Sequence, residues 1–184
     1  MAAPLTLGGG PGGITYQSIN PSAPPSLGHL FVASLWQYTP TNTSIVVLKY
    51  DTAGARVAQN LWPPFEAPKE RRIPKAIGCL GTELSPSFLS LIYVAAEVAG
   101  PGGRDFQLMA FNPTLTLAWT SRWGYEGAGG WHGDDVAMHM AVGTGGSDTG
   151  GGQSLPYVVV TGTTTEPVGG TDIFTVYFDG MDGA

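Results

Sequence analysis

The chain has 184 residues, 42% of them apolar and 12% charged, with 28 glycines, 15 prolines and a net charge of −6. That apolar share supplies one domain with a core and excludes disorder throughout, while few charges beside many Gly and Pro mark short strands joined by turns rather than helices. A pI near 4.8 argues against a binder of nucleic-acid phosphates, and no apolar run reaches the roughly 20 residues that span a bilayer as a helix.

Residues 1–13, MAAPLTLGGGPGG, form a Gly/Pro-rich arm without the basic and apolar regions of an export signal, suited to draping over a neighbour. A first unit, 14–56, carries ITYQSI, HLFVASLW and SIVVLKYDTAG. The second, 57–116, carries VAQNLW, KAIGCLG, LIYVAAEV and FQLMAFN. The third, 117–184, carries LAWTSRW, DDVAMHMAVG, LPYVVVTG and TDIFTVYFD. These β runs are bounded by Gly, Pro, Asn and Asp, and no stretch holds a helical period over twelve residues. The basic cluster Lys69 to Lys75 reads as a solvated loop. Cys79 is the only cysteine, which excludes an internal disulfide and leaves a buried structural thiol.

SIVVLKYDTAG, DFQLMAFNPTL and DIFTVYFDGMDG are one pattern, an apolar strand closed by an aromatic (Tyr50, Phe111, Phe178) and a polar turn. About nineteen residues earlier in each unit stands a second β run, LFVAS, IYVAA or VVVTG. The expected fold is therefore all-β, with three four-stranded blade-like repeats and inserted loops, because the spacing exceeds the ~40–50 residues of a propeller blade. Three blades do not close a ring that takes typically four to eight. Open apolar end faces then predict that the chain does not live as a free monomer: two copies complete a six-bladed ring, a partner caps the wedge, or the units collapse into a sandwich.

The third unit, AWTSRWGYEGAGGWHGDDVAMHMAVG followed by YVVVTGTTTEPVGGTDIFTVYFDGMDG, resembles the bacterial β-propeller repeat called SBBP. The likeness rests on a Trp-ended strand, a DD-x-A turn, a V-Y-V-T-G-like strand and a final aromatic-Asp turn over residues 119–183. The first two units match more loosely, with Asn112 at the turn Asp. The resemblance implies four-stranded blades about an axis and a binding or scaffolding role, frequently in surface or secreted proteins, and transfers no catalytic residue.

The densest chemistry lies at Trp131-His132-Gly133-Asp134-Asp135 and His139. Two imidazoles and two carboxylates make His132, Asp134, Asp135 and His139 the candidate metal ligands; as structural residues, the Asp pair caps a turn and His139 lies on a strand face. Trp123, Tyr125 and Trp131 flank a glycine-rich loop and are the candidate ligand-stacking group. Asp134, Asp135, Glu166, Asp172 and Asp179 offer acids for glycoside hydrolysis with no spacing to pair them. GTGGSDTGGG lacks the Lys-Ser/Thr and helix of a phosphate loop, and no GxSxG is present. The expectation is a non-enzymatic structural or interaction module without cofactor, acting through protein contacts. The alternatives are a carbohydrate-binding or hydrolytic surface protein and a decorating subunit of a large assembly such as a virion, filament or membrane complex.

Overall fold

The computed structural model describes residues 14–18, 28–39, 42–63, 70–80, 90–100, 103–124, 126–127, 131–146, 154–166 and 170–183. Strands are β1 (Ile14–Ser18), β2 (Gly28–Thr39), β3 (Asn42–Tyr50), β4 (Arg56–Trp62), β5 (Arg71–Cys79), β6 (Ile92–Gly100), β7 (Gly103–Phe111), β8 (Leu117–Trp123), β9 (Glu126–Gly127), β10 (Trp131–His132), β11 (Asp134–Gly146), β12 (Ser154–Glu166) and β13 (Gly170–Asp179). Among the described residues there is no helix, and none is long and apolar enough to cross a membrane. The proposed arm, residues 1–13, lies outside the described residues.

Three antiparallel meanders hold the chain: β1-β2-β3-β4, β5-β6-β7-β8 and β11-β12-β13, with β9 and β10 forming a separate two-stranded ladder. The all-β class holds; among the described strands the third sheet has three, not the expected four. The strands VAQNLW and LAWTSRW also fall differently from the sequence divisions at 57 and 117. Each follows a five-residue turn and folds back on the strand just made, pairing as β4 on β3 and β8 on β7. An antiparallel return costs one short turn, whereas opening a new sheet would leave β3 and β7 without partners on that edge.

The turns explain why the three aromatics align. Asp51 Oδ1 accepts the N–H groups of Ala53 (2.9 Å) and Ala55 (2.8 Å), Asn112 Oδ1 those of Thr114 (3.1 Å) and Thr116 (2.8 Å), and Asp179 Oδ1 that of Met181 (2.7 Å). Asn therefore does at 112 what Asp does at 51 and 179, because the task needs only an acceptor oxygen on a short side chain. Each turn closes through positive φ at Gly54 (81°), Leu115 (65°) or Gly183 (78°).

The second sheet is buried on both faces. Along β6, Tyr93 and Ala95 point one way while Ile92, Val94 and Ala96 point the other, all fully buried, as the two-residue strand period requires. The even-numbered set joins Phe31, Ala33, Ile45, Val47, Met109, Phe111 and Leu115 in a core between the first and second sheets. The odd-numbered set joins Phe106, Leu108, Val158, Val160, Phe174 and Phe178 in a core between the second and third. Each sheet thus has a front, toward the sheet before it, and a rear, toward the sheet after it. At Gly78 of β5 a Cβ would lie 2.8 Å from Val142 Cγ2 of β11, so glycine sets how closely the second and third sheets approach.

The basic cluster departs from the solvated-loop expectation. Arg71 to Lys75 lie in β5, and Arg72 is 5% exposed. Its guanidinium sits over the Trp62 ring at 5.3 Å and pairs with Glu70; burial lowers its pKa from the ordinary value, with Glu70 opposing. A charged side chain tolerates this place because aromatic face and carboxylate substitute for water. Cys79 is half-buried beside the first core, less enclosed than expected.

Candidate interaction surface

Two salt-bridge networks gather at one end of the second sheet. On its front, Arg122 holds Asp105 (2.6 Å) and Glu70 (3.2 Å), and Glu70 holds Arg72. On its rear, Glu97 takes Lys75 (2.9 Å), and Arg104 joins Asp134 of the third sheet (2.7 Å). Asp134 also accepts the Arg104 backbone N–H at 3.0 Å. Hydrogen bonding from Arg104 lowers the Asp134 pKa, and the same bond raises that of Arg104. Both side chains are more than a third exposed, so the pair fixes orientation more than it stabilises.

This geometry locates the residues singled out from the sequence. Asp134 and Asp135 open β11; Asp134 is engaged with Arg104, and Asp135 is fully buried in register with Thr164 on the front of the third sheet. His139 pairs with Thr161 beyond a bulge at Ala137/His139 and is exposed on the rear. Five residues along a strand separate it from Asp134 by about 16 Å, so the two do not meet at one ion. The backbone of His132 lies in β10, while its side chain, that of Trp131 and all of Tyr125 lie outside the described residues. Among the described residues no three His, Cys, Asp or Glu side chains gather. Residues 147–153 of the glycine-rich connection are also outside.

Trp123 is half-buried in packing rather than presented to a ligand. Its ring meets Phe106 at 5.3 Å and Phe174 at 4.8 Å, while Phe106 also stacks on Phe174 (5.3 Å) and meets Phe178 edge-on (5.8 Å). These four rings join the second sheet to the third. Tyr93 and Trp119 add a polar clamp: the Tyr93 hydroxyl (3.0 Å) and Trp119 Nε1 (3.3 Å) both donate to the Gly180 carbonyl of the last turn. Burial, then the Asp179 charge, raises the Tyr93 pKa well above that of a free phenol. One sheet earlier the turn at 112–116 is held the same way, with Lys49 Nζ donating to Pro113 O (3.1 Å) and Asn60 Nδ2 to Leu115 O.

The surface that stands out is the rear of the third sheet. The pairs Leu30–Tyr50, Ile92–Phe111 and Val158–Phe178 fix a common register. Counting back five residues from each aromatic reaches Ile45, Phe106 and Ile173. Ile45 and Phe106 are 0% exposed between sheets, whereas Ile173 is 82% exposed and Tyr177, on the same face, 64%. Tyr177 stacks on Tyr157 at 5.5 Å, and Val159, Thr161 and Thr163 lie in register beside them. Ile173 has the same strand signature as its buried counterparts, so nothing local in the sequence marks this face; what distinguishes it is that, among the described residues, no sheet covers it. No protein-family model, curated protein or solved structure matches the chain.

Proposed function

We propose that the chain is a non-enzymatic interaction module, a propeller-like stack of SBBP-like β-meander repeats that works through protein–protein contacts at the rear of its third sheet. The observation that carries this reading is the exposure of Ile173 at the register position where Ile45 and Phe106 are buried. An apolar side chain with a stacked tyrosine pair beside it, on a face of threonines and valines, is built for a dry protein contact. The common turn chemistry at Asp51, Asn112 and Asp179 supports the repeat. The test is Ile173→Lys, compared with wild type by solution mass and thermal unfolding. The variant loses association, with itself or with a co-purifying chain, and keeps the wild-type far-UV circular dichroism and monomer melting temperature. Unchanged association removes the reading; a collapsed fold would assign Ile173 to the core instead.

A further inference from the structure

The outer edge of β3 is taken by β4 and that of β7 by β8, whereas among the described strands β13 ends its sheet with nothing beyond it. Such an edge is a row of backbone N–H and C=O groups set to receive another strand. Its side chains are open to match. From Phe106 to Phe111 every residue of β7 is buried, but at the equivalent places on β13 only Phe174 and Phe178 are.

What β4 and β8 bring to their sheets defines the strand that fits here. Each sets a tryptophan opposite the residue five before the closing aromatic, Trp62 on Ile45 and Trp123 on Phe106, and both rings pack into the core at the rear of their sheet. The third residue of that series is Ile173, 82% exposed. Two residues before each tryptophan comes a small polar side chain, Asn60 opposite Val47 and Ser121 opposite Leu108; the counterpart on β13 is Thr175, also exposed. In β8 the residue between them is Arg122, which holds Asp105, six residues before Phe111, at 2.6 Å. Six residues before Phe178 stands Asp172, exposed, and no Lys or Arg follows Arg122 in the sequence. Charge therefore selects a cationic strand: a second copy's β13 would bring Asp172 and Asp179 against the same two acids, whereas an arginine meets Asp172 with opposite sign. Resting on the interaction reading above, we infer that the partner is an extended segment of another protein, carrying a small polar residue, arginine and tryptophan in succession, that pairs antiparallel with the outer edge of β13. The backbone ladder attaches it, its tryptophan folds over Ile173 at the rear, and its arginine reaches Asp172 at the front.

The probe is a fluorescent peptide with the sequence of residues 116–124, TLAWTSRWG, titrated with the whole chain and followed by anisotropy. It binds saturably, and Trp123→Ala within the peptide weakens binding by about tenfold or more. Methylating one alternate set of peptide nitrogens abolishes binding while methylating the other set does not, because only one set faces β13. In the protein, Ile173→Lys matches the loss from the peptide tryptophan. Asp172→Arg weakens the unaltered peptide about fivefold and restores binding of a peptide carrying Arg122→Glu, which keeps the test open if Ile173→Lys folds poorly. No binding up to the solubility limit of the peptide, or binding indifferent to methylation of either set, overturns the inference. Binding indifferent to Ile173→Lys or to Asp172→Arg places the peptide elsewhere, as in exchange with β8, and overturns it too. In each of these cases, association that is still lost with Ile173→Lys leaves the proposed function standing with a different occupant. Association and peptide binding that both ignore Ile173→Lys remove the inference and the proposed function together.

Discussion

Replacing Phe106 by alanine should destabilise the chain far more than replacing Ile173, although the two occupy one register position in successive sheets. Phe106 is 0% exposed and its ring meets those of Trp123, Phe174 and Phe178 within 5.8 Å. Removing a buried phenyl typically costs about 3–5 kcal/mol, and loss of three ring contacts places this site at the upper end, about 4–5 kcal/mol. That is a large share of the ~5–15 kcal/mol holding a typical domain. Ile173, 82% exposed, should cost under about 0.5 kcal/mol in the isolated monomer. With a urea slope of roughly 2 kcal/mol per molar, Phe106→Ala shifts the unfolding midpoint down by about 2 M and Ile173→Ala by less than about 0.3 M. The measurement is equilibrium urea unfolding, followed by tryptophan fluorescence at a dilution where only monomer is present. A Phe106→Ala shift below about 0.5 M, or equal shifts for the two variants, would refute the stacking of the second sheet on the third through this ring cluster.

Asn112→Asp should leave stability within about 0.5 kcal/mol of wild type, since it keeps the acceptor oxygen, whereas Asn112→Ala loses about 1–2 kcal/mol in the same urea assay. Asp134→Asn should cost only about 0.5 kcal/mol at neutral pH because its pair with Arg104 is solvent-screened. The Asp134 pKa is depressed in the fold, so this contribution is present above the unfolded value near 4 and is lost as pH falls through the folded value; wild type and variant should begin to converge in melting temperature below about pH 4 and meet once pH is under the depressed folded value. Tyr93, with its pKa raised by burial, gives the opposite sign: the neutral phenol's stabilisation is complete below about pH 10 and lost above it. Tyr93→Phe should blunt the alkaline loss of stability, and ultraviolet titration of the native protein should show one phenol ionising later than the rest. Gly78→Val should wedge the second and third sheets apart, costing about 1–3 kcal/mol on thermal or urea unfolding; wild-type stability would contradict the 2.8 Å approach at that site.

Local pattern determined the strands. The continuous apolar runs LIYVAAEV and FQLMAF, the turn residues Asp51, Asn112 and Asp179, and the recurring aromatics are visible in sequence because strand composition and turn chemistry act over a few neighbours. Strand ownership was not visible. Whether LAWTSRW closes one sheet or opens the next depends on which edge is free when the chain turns back, and that is decided by pairing across the turn at 112–116. The fate of charges and aromatics was likewise tertiary: Arg72 in KERRIPK is buried because Trp62 of the first sheet lies under its guanidinium while the neighbouring Glu70 pairs with it, and Trp123 packs because Phe174 arrives from another sheet about fifty residues later. Ile173 is the sharpest case. Its neighbours specify a strand as firmly as those of Ile45 or Phe106, but burial is a property of what lies across a face, and among the described sheets the stacking order sets none across this one.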